Sequence, residues 1–136
     1  MEDPEIMNIR PYKEADYITI CTWWIIKGEP HPALGMMVEN GTFVVELGNT
    51  PVMSLTVFKT QGNIGYLEGY ISSPALNKQD SNELGICLWN YCFDYAKNIG
   101  IEHLIVYTSK PKLVTRYESL GMIKDINGLT ALYRSI

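Results

Sequence analysis

The carboxyl-terminal third of this chain restricts the possible folds more than any other part of it. Residues 104–108 form an apolar run typical of a buried strand, and residues 112–120 follow with helical character. Gly121 stands where a helix ends in the left-handed conformation, and residues 129–134 form another extended run. This order predicts a layered α/β domain, because a strand, a short helix, a glycine and a second strand follow one another within few residues.

The preceding part of the chain predicts three adjacent strands between two helices. The strands are predicted at residues 42–47, 52–60 and 64–72, with turn residues between them. The helices are predicted at residues 13–27 and 81–98, each followed by a glycine, with further strands at residues 8–12 and 102–108. The order β-α-β-β-β-α-β-α-β predicts an α/β (α+β) fold in one domain, residues 1–136. Its central sheet is mixed and mostly antiparallel, with helices on both faces.

Composition argues against several classes of function. A net charge of −4 offers no basic surface for nucleic acid, and no apolar run has the length of a membrane span. The acidic N-terminus does not resemble a secretory signal. Three cysteines without a CxxC pair predict reduced thiols in the cytoplasm. The two histidines lack neighbouring ligands, so no metal site is predicted.

Residues 113–122 resemble a helix of the GNAT acetyltransferases. In that superfamily an aliphatic residue and Tyr are followed by polar residues and then by Leu-Gly-Phe. Tyr117 and Gly121 match this pattern, and Met122 replaces the Phe. The predicted element order also resembles the GNAT fold. The resemblance implies transfer of an acetyl group from acetyl-CoA to an amine, carried by a small molecule or a protein.

Scattered short motifs resemble the GNAT-like proteins of bacteriophages and prophages. They are Trp23-Trp24, residues 28–32, Glu68-Gly69 and Ser73-Pro74. This narrower resemblance implies a location in the host cytoplasm or the virion. It also implies a viral or host protein partner as an alternative to a homodimer.

The pyrophosphate-binding turn of the GNAT enzymes is altered in this chain. In the family it follows the pattern Gln/Arg-x-x-Gly-x-Gly/Ala, and its backbone N–H groups bind phosphate at the start of a helix. Counting back from Gly100 places residues 80–85 there, and only Gly85 is retained. Asp80 and Glu83 predict a capping box that would occupy those N–H groups and repel a diphosphate. The sequence therefore leaves two alternatives, loss of acetyl-CoA binding or binding through Lys78, Ser81, Asn82 and the remaining backbone amides.

Other cofactor contacts are implied on both sides of this turn. The strand that would hold the cofactor ends at Ile71, Ser72 and Ser73, because Pro74 stops strand pairing. Further contacts would come from Lys78, which precedes the predicted long helix, and from Ser81, Asn82 and Gly85 at its beginning.

Two residues are candidates for the chemistry. Tyr117 matches the tyrosine that protonates the departing CoA thiolate, since a phenol donates a proton while neutral at pH 7. Glu68 is the candidate general base, because Tyr66 and Tyr70 on the same strand face would desolvate it and raise its pKa. The structural alternatives are a packed helix tyrosine and a solvated strand carboxylate.

Three aromatic side chains are candidates for binding the acceptor. Trp23 and Trp24 lie about 100° apart on their helix, so one can pack in the core while the other faces substrate. His31 lies between two prolines on a surface loop. Packing tryptophans and an uninvolved surface histidine are the structural alternatives.

Three functions agree with these observations. The first is acetyl transfer from acetyl-CoA to an amine. The second is a catalytically inactive GNAT-fold phage or prophage protein that acts as a structural or host-interaction component. The third is a small-molecule binder that uses the same cleft. An open cofactor cleft would favour the first, and a filled cleft with an apolar surface would favour the second.

Overall fold

Five strands of the described part of the chain form one sheet, in which they lie side by side in chain order. The computed structural model of the chain describes residues 6–108 and 110–123. The strands are β1 (Met7–Pro11), β2 (Thr42–Leu47), β3 (Thr50–Lys59), β4 (Ile64–Ser72) and β5 (His103–Ile105). The first four strands pair antiparallel, and β5 pairs parallel with β4. The predicted mixed sheet is confirmed, and the strand predicted at residues 129–134 lies outside the described residues.

Within residues 6–108 and 110–123, three α-helices connect or follow these strands. They are α1 (Tyr17–Ile26), which follows a 3₁₀ turn at Glu14–Asp16, α2 (Lys78–Asn98) and α3 (Pro111–Ser119). The predicted terminators are confirmed, since Gly28, Gly100 and Gly121 all have positive φ. The prediction for the start of α2 is wrong by three residues, because Asn77 is its N-cap.

The helices α1 and α2 cover opposite faces of the sheet, as predicted. Phe43 and Val44 are consecutive on β2, so their side chains point to opposite faces. The Phe43 ring packs edge-on against Tyr91 and Tyr95 of α2, with ring centroids 5.0 and 4.8 Å apart. Val44 belongs to the buried cluster that contains the α1 residues Ile20 and Trp23. The two faces are called here the α2 face and the α1 face.

The chain divides into two compact units after Val106. The sheet, α1 and α2 belong to the first unit, and α3 belongs to the second. Within the second unit Pro111 occupies the first turn of α3, where its missing N–H leaves no hydrogen bond unmade. Tyr117 is buried, and its carbonyl accepts a hydrogen bond from the Met122 N–H as the helix ends.

A charged cluster fixes β1 to the turn before α1. Arg10 donates two hydrogen bonds of 2.8 Å to the Asp16 carboxylate and contacts Glu46 of β2 at 3.2 Å. Asp16 also accepts from the Lys13 N–H at 2.9 Å. Burial alone would raise the pKa of Asp16, but the hydrogen bonds from Arg10 and Lys13 outweigh it and lower that pKa.

Replacing Asp16 by asparagine is expected to lower the free energy of unfolding by about 2 kcal/mol at pH 7, because Arg10 loses a bidentate ionic partner. The pKa of Asp16 is lower in the folded state, so its stabilisation is complete above the unfolded pKa. It is lost as the pH falls through the folded pKa. Urea unfolding at pH 7 and at pH 3 measures how the contribution of Asp16 to the free energy of unfolding depends on pH. The difference between wild type and Asp16→Asn should shrink at pH 3, and an equal difference at both pH values would contradict the prediction.

Candidate functional site

The edge of β4 that faces β5 is paired over only part of its length. β5 pairs with Ile64, Gly65 and Tyr66 of β4. From Leu67 to Ser72, no strand among residues 6–108 and 110–123 pairs with this edge, although β3 continues along the opposite one. The backbone N–H and C=O groups that point to this edge are those an extended amide-containing ligand would bind.

A β-bulge at Gly69 and Tyr70 reverses the facing of the last residues of β4. The pairs Ser54–Ile71 and Thr56–Glu68 enclose one residue on β3 but two on β4. Gly69 has a φ of +71°, a conformation that glycine adopts without strain. Without the bulge Ile71 would lie on the α2 face, and with it Ile71 packs in the cluster on the α1 face.

This bulge corrects the predicted surroundings of Glu68. Tyr70 lies on the α2 face, where its ring centroid is 4.7 Å from that of Trp89. Glu68 stays on the α1 face with Tyr66, so only one of the two predicted aromatic neighbours shares its face. The Glu68 side chain remains exposed, yet partial desolvation by the surrounding protein raises its pKa. The predicted direction of the shift is therefore confirmed.

The first turns of α2 lie beside the open end of β4. The Ser81 hydroxyl donates a hydrogen bond of 3.4 Å to the Ser72 hydroxyl. A Cβ on Gly85 would lie 3.1 Å from the Tyr70 hydroxyl, so Gly85 lets α2 approach β4 closely. Lys78 is three residues before Ser81, and Asn82 is three residues before Gly85, so both lie on the same helical stripe. All four predicted α2 contacts, at positions 78, 81, 82 and 85, thus share one stripe.

Asp80 and Glu83 lie on a different side of α2. Together with Leu84 of the helix and Leu47 of β2, they line a cavity of about 250 Å³. Ser81 and Gly85 contact β4, which is two strands away from β2 in the sheet. The two carboxylates are therefore directed away from the open edge of β4.

The predicted capping box formed by Asp80 and Glu83 is wrong. Asn77 is the N-cap, its Oδ1 accepts from the Asp80 N–H at 2.8 Å, and its Nδ2 donates to the Asp80 carboxylate. Residues 80–85 are thus inside the helix, and the residues at its start are 77–82. A family turn at the helix start would have Asn77 in place of Gln or Arg, with Asp80 and Asn82 in the glycine positions.

Sequence reasoning missed Lys27 at the open end of β4. Its ammonium group donates a hydrogen bond of 3.2 Å to the Ser72 hydroxyl, across 45 positions of the chain. Ser72 therefore links the end of α1 to the first turn of α2 through Lys27 and Ser81. In the sequence Lys27 was only the last residue of a predicted helix, and no local pattern indicates this contact.

The two remaining candidates for cofactor contact, Ile71 and Ser73, also have structural roles. Ile71 is buried among the side chains beneath α1. The Ser73 N–H donates to the Val52 carbonyl at 2.7 Å, and its hydroxyl accepts from the Ala75 N–H at 3.2 Å. Ser73 thus shapes the turn between β4 and α2.

The predicted acceptor-binding residues lie on the α1 face or in the loop after α1. Trp23 is buried in the core, and Trp24 is half-buried against the same cluster. The Trp24 indole N–H is buried and has no acceptor among the described residues. His31 is exposed, with its Nδ1 3.0 Å from the Pro32 carbonyl. Trp23 is thus a core residue and Trp24 a half-buried one, and binding of an acceptor by Trp24 or His31 remains a prediction.

A larger cavity of about 530 Å³ opens on the α1 side of the molecule. Tyr12 and Met37, which pack in the same cluster as Trp23, form part of its wall. Lys13, Glu14 and Glu39 add two carboxylates and one ammonium group. The cavity therefore combines an apolar wall with a net negative rim, which suits a ligand that carries an amine.

Tyr117 belongs to the second unit, and its catalytic role remains a prediction. Among residues 6–108 and 110–123, no three His, Cys, Asp or Glu side chains form a group that could hold a metal ion. Of the helices in that part of the chain, none has the length and apolar character needed to cross a membrane.

No protein-family profile and no curated protein matches the sequence, but solved structures match the fold. A transcriptional regulator from Bacillus halodurans C-125 matches with a TM-score of 0.73 and 21% identity, over 94% of this chain and 100% of that chain. A GNAT family acetyltransferase from Streptococcus pneumoniae TIGR4 has a TM-score of 0.73 and 14% identity, with coverages of 96% and 100%. Glucosamine-6-phosphate N-acetyltransferase from Arabidopsis thaliana has a TM-score of 0.67 and 14% identity, with coverages of 96% and 100%. The chain therefore has the fold of the GNAT acetyltransferases.

Proposed function

We propose that this chain, which has the GNAT fold, is an N-acetyltransferase that transfers the acetyl group of acetyl-CoA to an amine. The observation that carries the proposal is the open edge of β4 beyond Tyr66, with the first turn of α2 beside it. Structural neighbours described as acetyltransferases support the same reaction.

The cofactor would lie along the open edge with its diphosphate at the start of α2. The pantetheine amides would hydrogen-bond the β4 backbone between Leu67 and Ser72. Lys27, Lys78, Ser81 and Asn82 would then surround the diphosphate with two ammonium groups and two neutral polar side chains. Because Asp80 and Glu83 face β2, the repulsion expected from the sequence is reduced.

The proposed chemistry is direct attack of a neutral amine on the thioester carbonyl. The amine nitrogen forms a bond to the carbonyl carbon, while backbone near residues 71–73 polarises the carbonyl oxygen. Glu68 accepts the amine proton, directly or through a water molecule. The carbon–sulfur bond then breaks, and Tyr117 protonates the departing thiolate.

Isothermal titration calorimetry with acetyl-CoA tests the proposal, with CoA and desulfo-CoA titrated in parallel. We expect a dissociation constant in the micromolar range, followed by acetylation of at least one member of an amine panel. Absence of binding at millimolar acetyl-CoA would exclude acetyltransferase activity as the function of this chain.

Replacing Glu68 by glutamine is expected to lower kcat/KM about 100-fold, because the amine loses its proton acceptor. In wild type, kcat/KM should rise with pH through the raised pKa of Glu68, and this limb should vanish in the variant. Stability should not fall. The pKa of Glu68 is raised in the folded state, so ionisation of this carboxyl group lowers the free energy of unfolding as the pH rises through that pKa. Glutamine does not ionise, so the variant does not lose this stability. An unchanged pH profile of kcat/KM would exclude Glu68 as the base.

Replacing Tyr117 by phenylalanine is expected to lower kcat about tenfold or more, with the affinity for CoA nearly unchanged. The phenyl ring retains the packing of this buried side chain but removes the proton donor. Steady-state kinetics combined with calorimetry separate the two effects. An equal kcat would remove Tyr117 from the mechanism.

The second candidate function is a GNAT-fold protein without catalysis, of phage or prophage origin. The observation that favours it is the start of α2, where the Asn77 side chain occupies the Asp80 N–H and residues 77–82 include no glycine. Its partner would be a viral or host protein. Failure of acetyl-CoA to bind, together with recovery of one specific protein from a host lysate, would favour this function.

A further inference from the structure

Trp24 carries a buried hydrogen-bond donor that the folded chain leaves unused. Its indole N–H is excluded from solvent, and no group among residues 6–108 and 110–123 accepts a hydrogen bond from it. Most buried polar groups in proteins have a partner, and a buried donor without one is destabilising because its bonds to water are not replaced. The fold therefore holds in place a donor whose acceptor is not part of the described chain.

The position of Trp24 on α1 directs this side chain towards the sheet. Ile20, Trp24 and Lys27 follow one another at spacings of four and three residues, so they lie on one stripe of the helix. Ile20 is fully buried, and Trp24 packs against the cluster to which Ile20 belongs. Trp24 is nevertheless only half-buried. A side chain that faces the sheet and keeps part of its surface exposed borders an opening between the helix and the sheet.

The contacts of α1 locate this opening at the unpaired end of β4. Ile71 is the β4 member of the cluster, and it lies within residues 67–72, where no described strand pairs with the outer edge. Lys27, one helical turn after Trp24, donates a hydrogen bond to Ser72 at the end of the same stretch. The Trp24 indole is therefore beside the open edge, along which the proposed cofactor arm lies.

Tyr17 shows how a donor on this side of α1 can be satisfied within the chain. Like Trp24, Tyr17 is a half-buried aromatic residue that packs against the same cluster. Its hydroxyl donates to the Pro32 carbonyl at 3.0 Å. Trp24 has no such acceptor in the part of the chain that the structure describes. The two aromatic donors thus differ in whether the protein itself supplies their partner.

On the basis of the proposed function, we propose that Trp24 donates its indole N–H to a carbonyl oxygen of the acyl-CoA arm and so positions this arm at the open edge of β4. The arm carries amide carbonyls and a thioester carbonyl, which are acceptors, and an indole N–H is a donor only. The β4 backbone would bind the arm in the plane of the sheet, and Trp24 would bind it from the α1 face.

Calorimetric titration of the Trp24→Phe variant tests this contact. We expect its dissociation constant for acetyl-CoA to be about five to ten times that of wild type, the usual effect of losing one neutral hydrogen bond. Adenosine 3′,5′-bisphosphate, which lacks the arm, should bind to both proteins alike. An equal loss for CoA would assign an amide carbonyl, and a loss for acetyl-CoA alone would assign the thioester carbonyl. An unchanged affinity for acetyl-CoA, or an equal loss for the bisphosphate, would overturn the proposal.

Two further replacements separate the donor from the packing of the ring. Tyr17→Phe removes a donor that is already satisfied, so it should lower the stability of the free protein and change the affinity for acetyl-CoA less than about twofold. Replacing Trp24 by 3-benzothienylalanine keeps the bicyclic ring and removes only the N–H. Affinity should fall as in Trp24→Phe, while stability should not fall, because no internal hydrogen bond is lost. A normal affinity in this protein would overturn the proposal.

Indole ¹H–¹⁵N spectra provide a readout that does not depend on affinity. The chain has three tryptophans, and the signal missing from Trp24→Phe belongs to Trp24. Acetyl-CoA should move the proton of this signal downfield, because a new hydrogen bond deshields it. A signal that stays in place while acetyl-CoA binds would contradict the proposed contact alone. A wild type that binds none of the three ligands would overturn the proposed function, and the contact with it.

Discussion

Acetyl-CoA is expected to bind at least tenfold more weakly to the Ser81→Asp variant than to wild type. Ser81 bonds to Ser72 at the end of the open β4 edge, where the proposed diphosphate lies. A carboxylate at this position adds like-charge repulsion with two phosphates at short range. Each such pair costs about 1 kcal/mol even when well solvated, and tenfold in affinity corresponds to about 1.4 kcal/mol. Calorimetric titration of acetyl-CoA at fixed ionic strength measures the effect.

Two control variants show whether position matters more than charge. Asn90→Asp adds the same charge to an exposed position of α2 beyond its first turns, and should change the affinity less than twofold. Glu83→Gln removes a carboxylate that faces Leu47, and should also change the affinity less than twofold. A gain of several-fold in Glu83→Gln would mean that this carboxylate does reach the diphosphate. Equal losses in Ser81→Asp and Asn90→Asp would contradict the proposed position of the cofactor.

The second large effect is expected at the entry to β2, where Gly41→Ala should lower the free energy of unfolding by about 3 kcal/mol. Gly41 has a φ of +146°, a region almost restricted to glycine. Its carbonyl accepts from the Val57 N–H at 2.8 Å, so the backbone is held in place. An added Cβ would lie 2.7 Å from the Val57 carbonyl oxygen, and relief would require β2 and β3 to separate.

Gly48→Ala is the matched control for this strain. Gly48 also has a positive φ, of +60°, but an added Cβ would meet no atom within 4 Å. Gly48→Ala should therefore lower the free energy of unfolding by about 1 kcal/mol, through backbone conformation alone. Urea unfolding of both variants provides the comparison. Equal destabilisation would show that the contact with Val57 contributes nothing.

Much of the fold was predictable from local sequence patterns. The strands Thr42–Leu47 and Ile64–Ser72 have the predicted bounds, and glycines end α1, α2 and α3 as predicted. These features depend on side-chain alternation, helical spacing and the left-handed tolerance of glycine, all of which act over a few residues. The grouping of positions 81, 82 and 85 on one helical stripe also followed from helical spacing, whereas Lys78 belongs to that stripe only because α2 begins three residues earlier than predicted.

The start of α2 could not be decided from the sequence. Asn77 and Asp80 are both good N-cap residues, and they are three positions apart. The turn formed by Ser73, where the Leu76 N–H bonds to the Ser73 carbonyl, delivers the chain to Asn77 in an extended conformation. Asp80 then serves as the partner of that cap, and its carboxylate is directed away from β4.

The sequence by itself determined the order of the described elements and the mostly antiparallel sheet, because both depend on patterns among neighbours along the chain. Only the tertiary structure decided which face each candidate side chain occupies. The bulge at Gly69 is defined by the pairing of β4 with β3, and it moves Tyr70 away from Glu68. The contact of Lys27 with Ser72 joins residues 45 positions apart. Such contacts are set by the packing of α1 and α2 on opposite faces of the sheet, which no local pattern encodes.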